Sequence, residues 1–219
     1  MKVSYIFIGE GTSDLRLTEH IESILITEGF EEVSGEAPDM TMLDAKAGNT
    51  VKNKLEVIKR FYPSVDIIFV HRDADGAGIE ARELEIETAR GLARVDANVI
   101  PVIPVKMLET WLLADKEKLN IVAGNTKTDT DIKCLPKLAK LEKIADSKAL
   151  LMDVLCESSG ATGGRLKDFK KRFNEMRARL TYDLDPDGPV NKLTSYTKFR
   201  SKLTEMADNL LARNAEEAS

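Results

Sequence analysis

The chain is poor in the residues that build covalent or soft-metal frameworks. Its 219 residues include two cysteines, Cys134 and Cys156, and two histidines, His20 and His71, with no CxxC spacing and no paired histidines. This argues against a disulfide scaffold and against a zinc site. Aromatic residues make up only 5% of the chain, so there is little surface on which single-stranded bases could stack. No apolar run is long enough to span a bilayer and no charged-then-apolar leader opens the chain, which points to a cytoplasmic protein with no membrane partner. Phosphate-binding loops are missing too. There is no GxxxxGK[ST], and Gly9-Glu10-Gly11 lacks the third glycine of a dinucleotide fingerprint and puts an acid where pyrophosphate would sit.

What the chain does have is charge, unevenly placed. The net charge is −5, yet residues 1 to 115 hold 12 basic against 21 acidic side chains, whereas residues 133 to 179 hold 12 against 6. The segment 191 to 202 adds four basic residues and no acid. An acidic front half and a basic back half suit an enzyme that holds metal on one side and a phosphate backbone on the other. Solvated lysine-rich helix faces would give the same distribution.

Hydrophobic periodicity divides the chain in the same place. Val3 to Ile8 and Val65 to Val70 are apolar, β-branched runs that read as buried strands, and Asp39 to Ala45 reads as a short strand. Asn98 to Val105 contains Pro101 and Pro104 and reads as an edge strand. Helical spacing fills Ser13 to Glu28, Val51 to Phe61 and Ile79 to Arg94. Strand and helix alternate, which predicts an α/β fold with a mainly parallel sheet flanked by helices. Beyond residue 115 only helical spacing remains, at Leu135 to Ile144, Lys148 to Cys156, Leu166 to Leu180 and Tyr196 to Arg213. The expected organisation is an α/β core over residues 1 to 115 and a partly basic helical lobe over residues 116 to 219.

The acids Glu10, Asp14, Asp73, Asp75 and Glu109 fall just after the first, third and fourth predicted strands. In a parallel sheet these positions converge at one edge, where ligands bind. Carboxylates gathered there need a compensating cation, and all-oxygen ligation favours Mg²⁺ or Mn²⁺. Asp73 and Asp75 are two apart, so in extended backbone both can face one way. For Asp14, near a helix amino terminus, the macrodipole offers a structural alternative.

The pattern strand-Glu10-Gly11-x-x-Asp14, followed by a buried strand ending in Asp73-x-Asp75, resembles the Toprim domain of topoisomerases, bacterial primases and OLD-family nucleases. Met107 to Asp115 is similar to a segment of small Toprim proteins of the OLD-like branch. The resemblance implies a metal-dependent nuclease. Glu10 would be metal ligand and general base or acid, Asp14, Asp73, Asp75 and Glu109 would be metal ligands, and a basic residue would neutralise the transition state. Arg165 and Lys167, in Gly163-Gly164-Arg165-Leu166-Lys167, stand about where that branch carries a catalytic lysine, and Lys106 is a second candidate. His71 and His20 are lesser ones. Lys170, Lys171 and Arg172 are the expected phosphate-gripping residues, with DNA or RNA as partner. Family likeness further implies phage defence beside a separate ATPase subunit and leaves a homo-oligomer open. The alternative is a catalytically silent Toprim subunit that binds nucleic acid or a protein partner.

Overall fold

The computed structural model describes residues 1–11, 14–46 and 48–217. Four strands, β1 (Lys2–Ile8), β2 (Glu32–Glu36), β3 (Ile67–His71) and β4 (Asn98–Val102), form one sheet in the order β2-β1-β3-β4, and every pairing is parallel. The architecture is α/β, as the alternating periodicity implies. Helices α1 (Leu17–Thr27), α2 (Met40–Leu43), α3 (Val51–Phe61) and α4 (Ile79–Ala93) make the crossovers. After β4 come α5 (Glu109–Leu112), α6 (Lys116–Val122), α7 (Ser147–Ser159), α8 (Gly163–Lys171), α9 (Phe173–Tyr182) and α10 (Thr194–Glu217).

Alternation along the strands gives each sheet face its own core. Tyr5, Phe7, Ile67, Phe69, Ile100 and Val102 face α1 and the carboxyl-terminal helices, whereas Ile6, Ile8, Ile68 and Val70 face α3 and α4. The first cluster runs from Val3 to Ala207, so the regions 1 to 115 and 116 to 219 share one apolar core. At its centre Trp111 is fully buried, donates Nε1–H to Ser195 at 2.9 Å and stacks on Phe199. Among the described residues no helix is long and apolar enough to cross a membrane.

Two expectations are corrected. The second strand is Glu32–Glu36; the segment expected as a strand, Asp39 to Ala45, instead contains α2, because Asp39 accepts from the Thr41 backbone N–H at 2.9 Å and starts a helical turn. The expected single helix from Leu166 to Leu180 breaks at Arg172 (φ −88°, ψ 8°) into α8 and α9. The first helix begins at Leu17, and its expected start at Ser13 lies outside the described residues. Pro101 does lie in an edge strand, where its missing N–H removes a donor that another chain could use.

His20 ties α1 to the carboxyl-terminal helices and sets a pH dependence. Its Nδ1 lies 2.9 Å from the Leu184 carbonyl, so that nitrogen carries the proton and Nε2 accepts from the Tyr196 hydroxyl at 2.8 Å. Burial pushes the imidazole down to about 4, reinforced by Arg200 and opposed by the Leu184 hydrogen bond and by Asp185. The folded protein therefore keeps His20 neutral where the unfolded chain protonates it. Its contribution is full above pH about 6.5 and is lost as pH falls towards 4, amounting to roughly 2–3 kcal/mol at pH about 4.5. Urea unfolding of the parent and His20→Gln across this range should show the parent's stability falling more steeply by that amount.

Candidate functional site

The order β2-β1-β3-β4 reverses direction between β1 and β3. Chain connections leave these two strands towards opposite sides, which opens a crevice beyond their carboxyl ends. Glu10 lies two residues past the end of β1, and His71 closes β3 with Arg72 and Asp73 after it. The Glu10 carboxylate spans the crevice: Oε1 accepts from Arg72 Nη1 at 2.5 Å and Oε2 from the Asp73 backbone N–H at 3.1 Å. Arg72 also lies 3.4 Å from Glu85, and Arg82 donates to the Asp73 carbonyl at 3.1 Å.

Behind the crevice runs a buried row of alternating charge. Arg177 of α9 donates Nε–H to Glu109 at 2.6 Å and Nη2–H to Asp14 at 2.9 Å. The second oxygen of Asp14 lies 3.3 Å from His71 Nδ1, and His71 Nε2 lies 3.4 Å from Asp73 Oδ1. Burial would depress His71, but Asp14 and Asp73 outweigh it and raise the imidazole to about 9, so it is a cation at neutral pH. Burial likewise opposes ionisation of Asp14, yet His71 and Arg177 hold its carboxyl well below the usual carboxylate range. The compensating cations that the acids require are thus partly built into the chain.

Among the described residues five buried side-chain atoms lack a well-formed hydrogen bond, and four of them, His71 Nδ1 and Nε2, Arg72 Nε and Asp73 Oδ1, belong to three consecutive residues at this crevice. His71 Nδ1 faces Asp14, and His71 Nε2 and Asp73 Oδ1 face each other, at ion-pair distances of 3.3 and 3.4 Å, which leaves the buried Arg72 Nε as the donor here that water or a ligand would complete. Backbone strain gathers here as well. Asp75 (φ 44°) and Lys106 (φ 67°) are both left-handed, and they hold one another: Asp75 N–H donates to the Lys106 carbonyl at 3.2 Å, and Lys106 Nζ donates to the Asp75 carbonyl at 3.1 Å. Such conformations cost of order 1–3 kcal/mol each and cluster at functional sites.

No family model matches the chain, and neither a curated protein nor a solved structure does. Any assignment rests on the residues and their geometry.

All five predicted acids lie on segments that follow β1, β3 or β4, but they divide into two sets. Glu10, Asp73 and the exposed Asp75 line the crevice mouth, whereas Asp14 and Glu109 are buried against Arg177. Among the described residues no group of three or more His, Cys, Asp or Glu side chains is placed to hold a metal ion. A cage of all five carboxylates around two ions therefore does not fit this arrangement. Glu10 and Asp73 offer the one or two carboxylates that an ion such as Mg²⁺, which keeps several waters, needs besides substrate phosphate, with Asp73 Oδ1 already facing His71.

Arg165 and Lys167 are exposed on α8 and contact none of these acids. Lys170 is exposed; Lys171 pairs with Asp168 at 2.8 Å and Arg172 with Glu175 at 3.3 Å. Sequence reasoning missed Arg72, Lys54 and Arg177. Only the last carried a readable signal. Phe173, Met176, Arg177 and Leu180 form the buried stripe of α9, and an arginine at a core position needs buried acids to meet it.

Proposed function

We propose that this chain is a Toprim-type, divalent-metal-dependent nuclease that hydrolyses phosphodiester bonds at the crevice between β1 and β3. The observation that carries the reading is the convergence of Glu10, Arg72 and Asp73 at the topological switch point, where the buried Arg72 Nε has no partner. A bound Mg²⁺ or Mn²⁺ would supply Lewis-acid stabilisation of phosphate oxygens and an acidified water. Glu10 and Asp73 would hold it. Glu10, in an exposed turn, is placed to take or return a proton, while protonated His71 fixes Asp73 from behind. Arg177 and His71 keep Asp14 ionised and Arg177 also pairs with Glu109, so these two acids orient the row without facing the substrate.

The basic residues at the α8–α9 junction suit a passing nucleic-acid backbone. Arg172 precedes Arg177 by five residues on α9, about 7.5 Å along the axis, so the junction flanks the acidic row. Replacing Lys170, Lys171 and Arg172 together with alanine should weaken binding to all sequences alike. The slope of log affinity against log salt should fall by about one unit for each phosphate that is no longer neutralised. An unchanged slope would leave α8 a solvated face.

A second reading, a catalytically silent binding subunit, draws support from Arg177, which already occupies two of the five acids. Incubation of the protein with plasmid, single-stranded DNA and transfer RNA in Mg²⁺, Mn²⁺ or chelator decides between them. The nuclease cleaves at least one substrate only with metal. The silent subunit binds with equal affinity in chelator and cleaves none. A place in phage defence beside an ATPase subunit belongs to the Toprim likeness alone and would be tested by challenge of cells carrying the intact gene neighbourhood.

A further inference from the structure

Helix α3 runs back against the strands, so it begins at the edge where they end and delivers Lys54, in its second turn, to the Gly9–Glu10 turn. Lys54 Nζ donates to the Gly9 carbonyl at 3.0 Å. Lys52, Lys116, Lys171, Lys198 and Lys202 each lie within 4.0 Å of a carboxylate; among the described residues Lys54 does not. The ammonium is half-buried, and burial together with the neighbouring Arg72 lowers its pKa, while Glu10 pulls the other way. Arg72 stands on the far side of Glu10 with its Nε buried and unpartnered. Arg72 acts electrostatically on Lys54, the Glu10 carboxylate offsets part of that repulsion, and an oxyanion accepting from Arg72 Nε beside Lys54 would offset more.

We propose that Lys54 and Arg72 form an oxyanion-binding pair at the Gly9–Glu10 turn, which receives a phosphate oxygen of the substrate beside Glu10. The proposal deepens the phosphodiester reading and rests on it for the identity of the ligand. Lys54 supplies a flexible point charge and Arg72 a planar fork. Together they place the phosphate at the carboxylate proposed to move its proton. This assigns the charge-neutralising role to α3 and the loop after β3, in place of Arg165 and Lys167, which form no ion pair with the acids.

The test needs no cleavage. Inorganic phosphate, and separately a thymidine dinucleotide with a single internal phosphodiester, are titrated in chelator while the amide resonances of Gly9, Glu10 and Arg72 are followed. Both probes should shift these resonances in the parent. Lys54→Gln should weaken both by about tenfold or more, the effect expected for one charge-assisted hydrogen bond, and Lys54→Arg should retain most of the affinity. Equal affinity in Lys54→Gln and parent overturns the proposal, as do shifts confined to residues 170 to 172. If inorganic phosphate alone binds and Lys54→Gln weakens it, the pair stands and the internal-diester reading falls.

Discussion

Arg177→Ala is expected to lower the unfolding free energy by about 3–5 kcal/mol, the cost of leaving buried charge without its partner. Arg177 is 7% exposed and is the cation between Glu109 and Asp14, themselves 3% and 6% exposed. Removing it leaves two buried carboxylates that can be relieved only by protonation, water entry or opening of α9. His71 would still face Asp14, so Glu109 bears most of the penalty. Urea denaturation at neutral pH measures the loss, and the triple variant Asp14→Asn, Glu109→Gln, Arg177→Met should recover much of it by removing the charges together. A loss below about 1 kcal/mol in the single variant would mean that the row contributes no more than a surface pair. With Arg177 gone, Asp14 and Glu109 lose their shared cation, and Mn²⁺ should raise the midpoint of the variant more than that of the parent.

The strands that position this site were legible because they are buried on both faces. Ile67 to His71 is buried throughout and appears in the sequence as a continuous apolar run. The second strand was not. Glu32–Glu36 pairs with β1 at an edge, is mostly exposed, and offers only Val33 as an apolar residue, so neither period nor composition distinguishes it from a loop. The alternation Met40-Thr41-Met42 imitated a strand where a capping aspartate starts a helix. The break at Arg172 has no glycine or proline to announce it. It reflects tertiary packing: α8 buries no residue, whereas α9 buries Phe173, Met176, Arg177, Leu180 and Thr181.

The candidate site divides in the same way. Acids at the tips of strands could be placed from topology alone, because every parallel strand ends at one edge. Their counterions could not, since Asp14 and Arg177 are 163 residues apart and only the packing of α9 against α1 joins them. A surplus of carboxylate at a sheet edge reads in sequence as a demand for metal. The fold meets part of that demand with Arg177 between Asp14 and Glu109, His71 between Asp14 and Asp73, and Arg72 on Glu10.

On the proposed nuclease reading, Glu10→Gln is expected to lower cleavage by about 10²–10⁴-fold, the range typical for loss of a positioned acid–base group, with little change in stability. The amide is nearly isosteric. Its carbonyl oxygen can still accept from Arg72 or from the Asp73 backbone N–H, and the residue lies in an exposed turn, where substitutions usually change stability by no more than about 0.5 kcal/mol. What the amide loses is the capacity to take up a proton and to ligate a divalent ion strongly. A purely structural role for Glu10, clamping Arg72 across the crevice, predicts the reverse, with lower stability and cleavage falling only in proportion to the folded fraction. Single-turnover cleavage under saturating Mn²⁺, measured beside urea unfolding of the same preparations, separates the two. Asp73→Asn is the companion measurement. Its loss should resemble that of Glu10→Gln if the two residues serve one ion, and the double variant should then be little worse than either single one, because groups that act as a unit are not additive. Losses that multiply would mean that Glu10 and Asp73 act in separate steps.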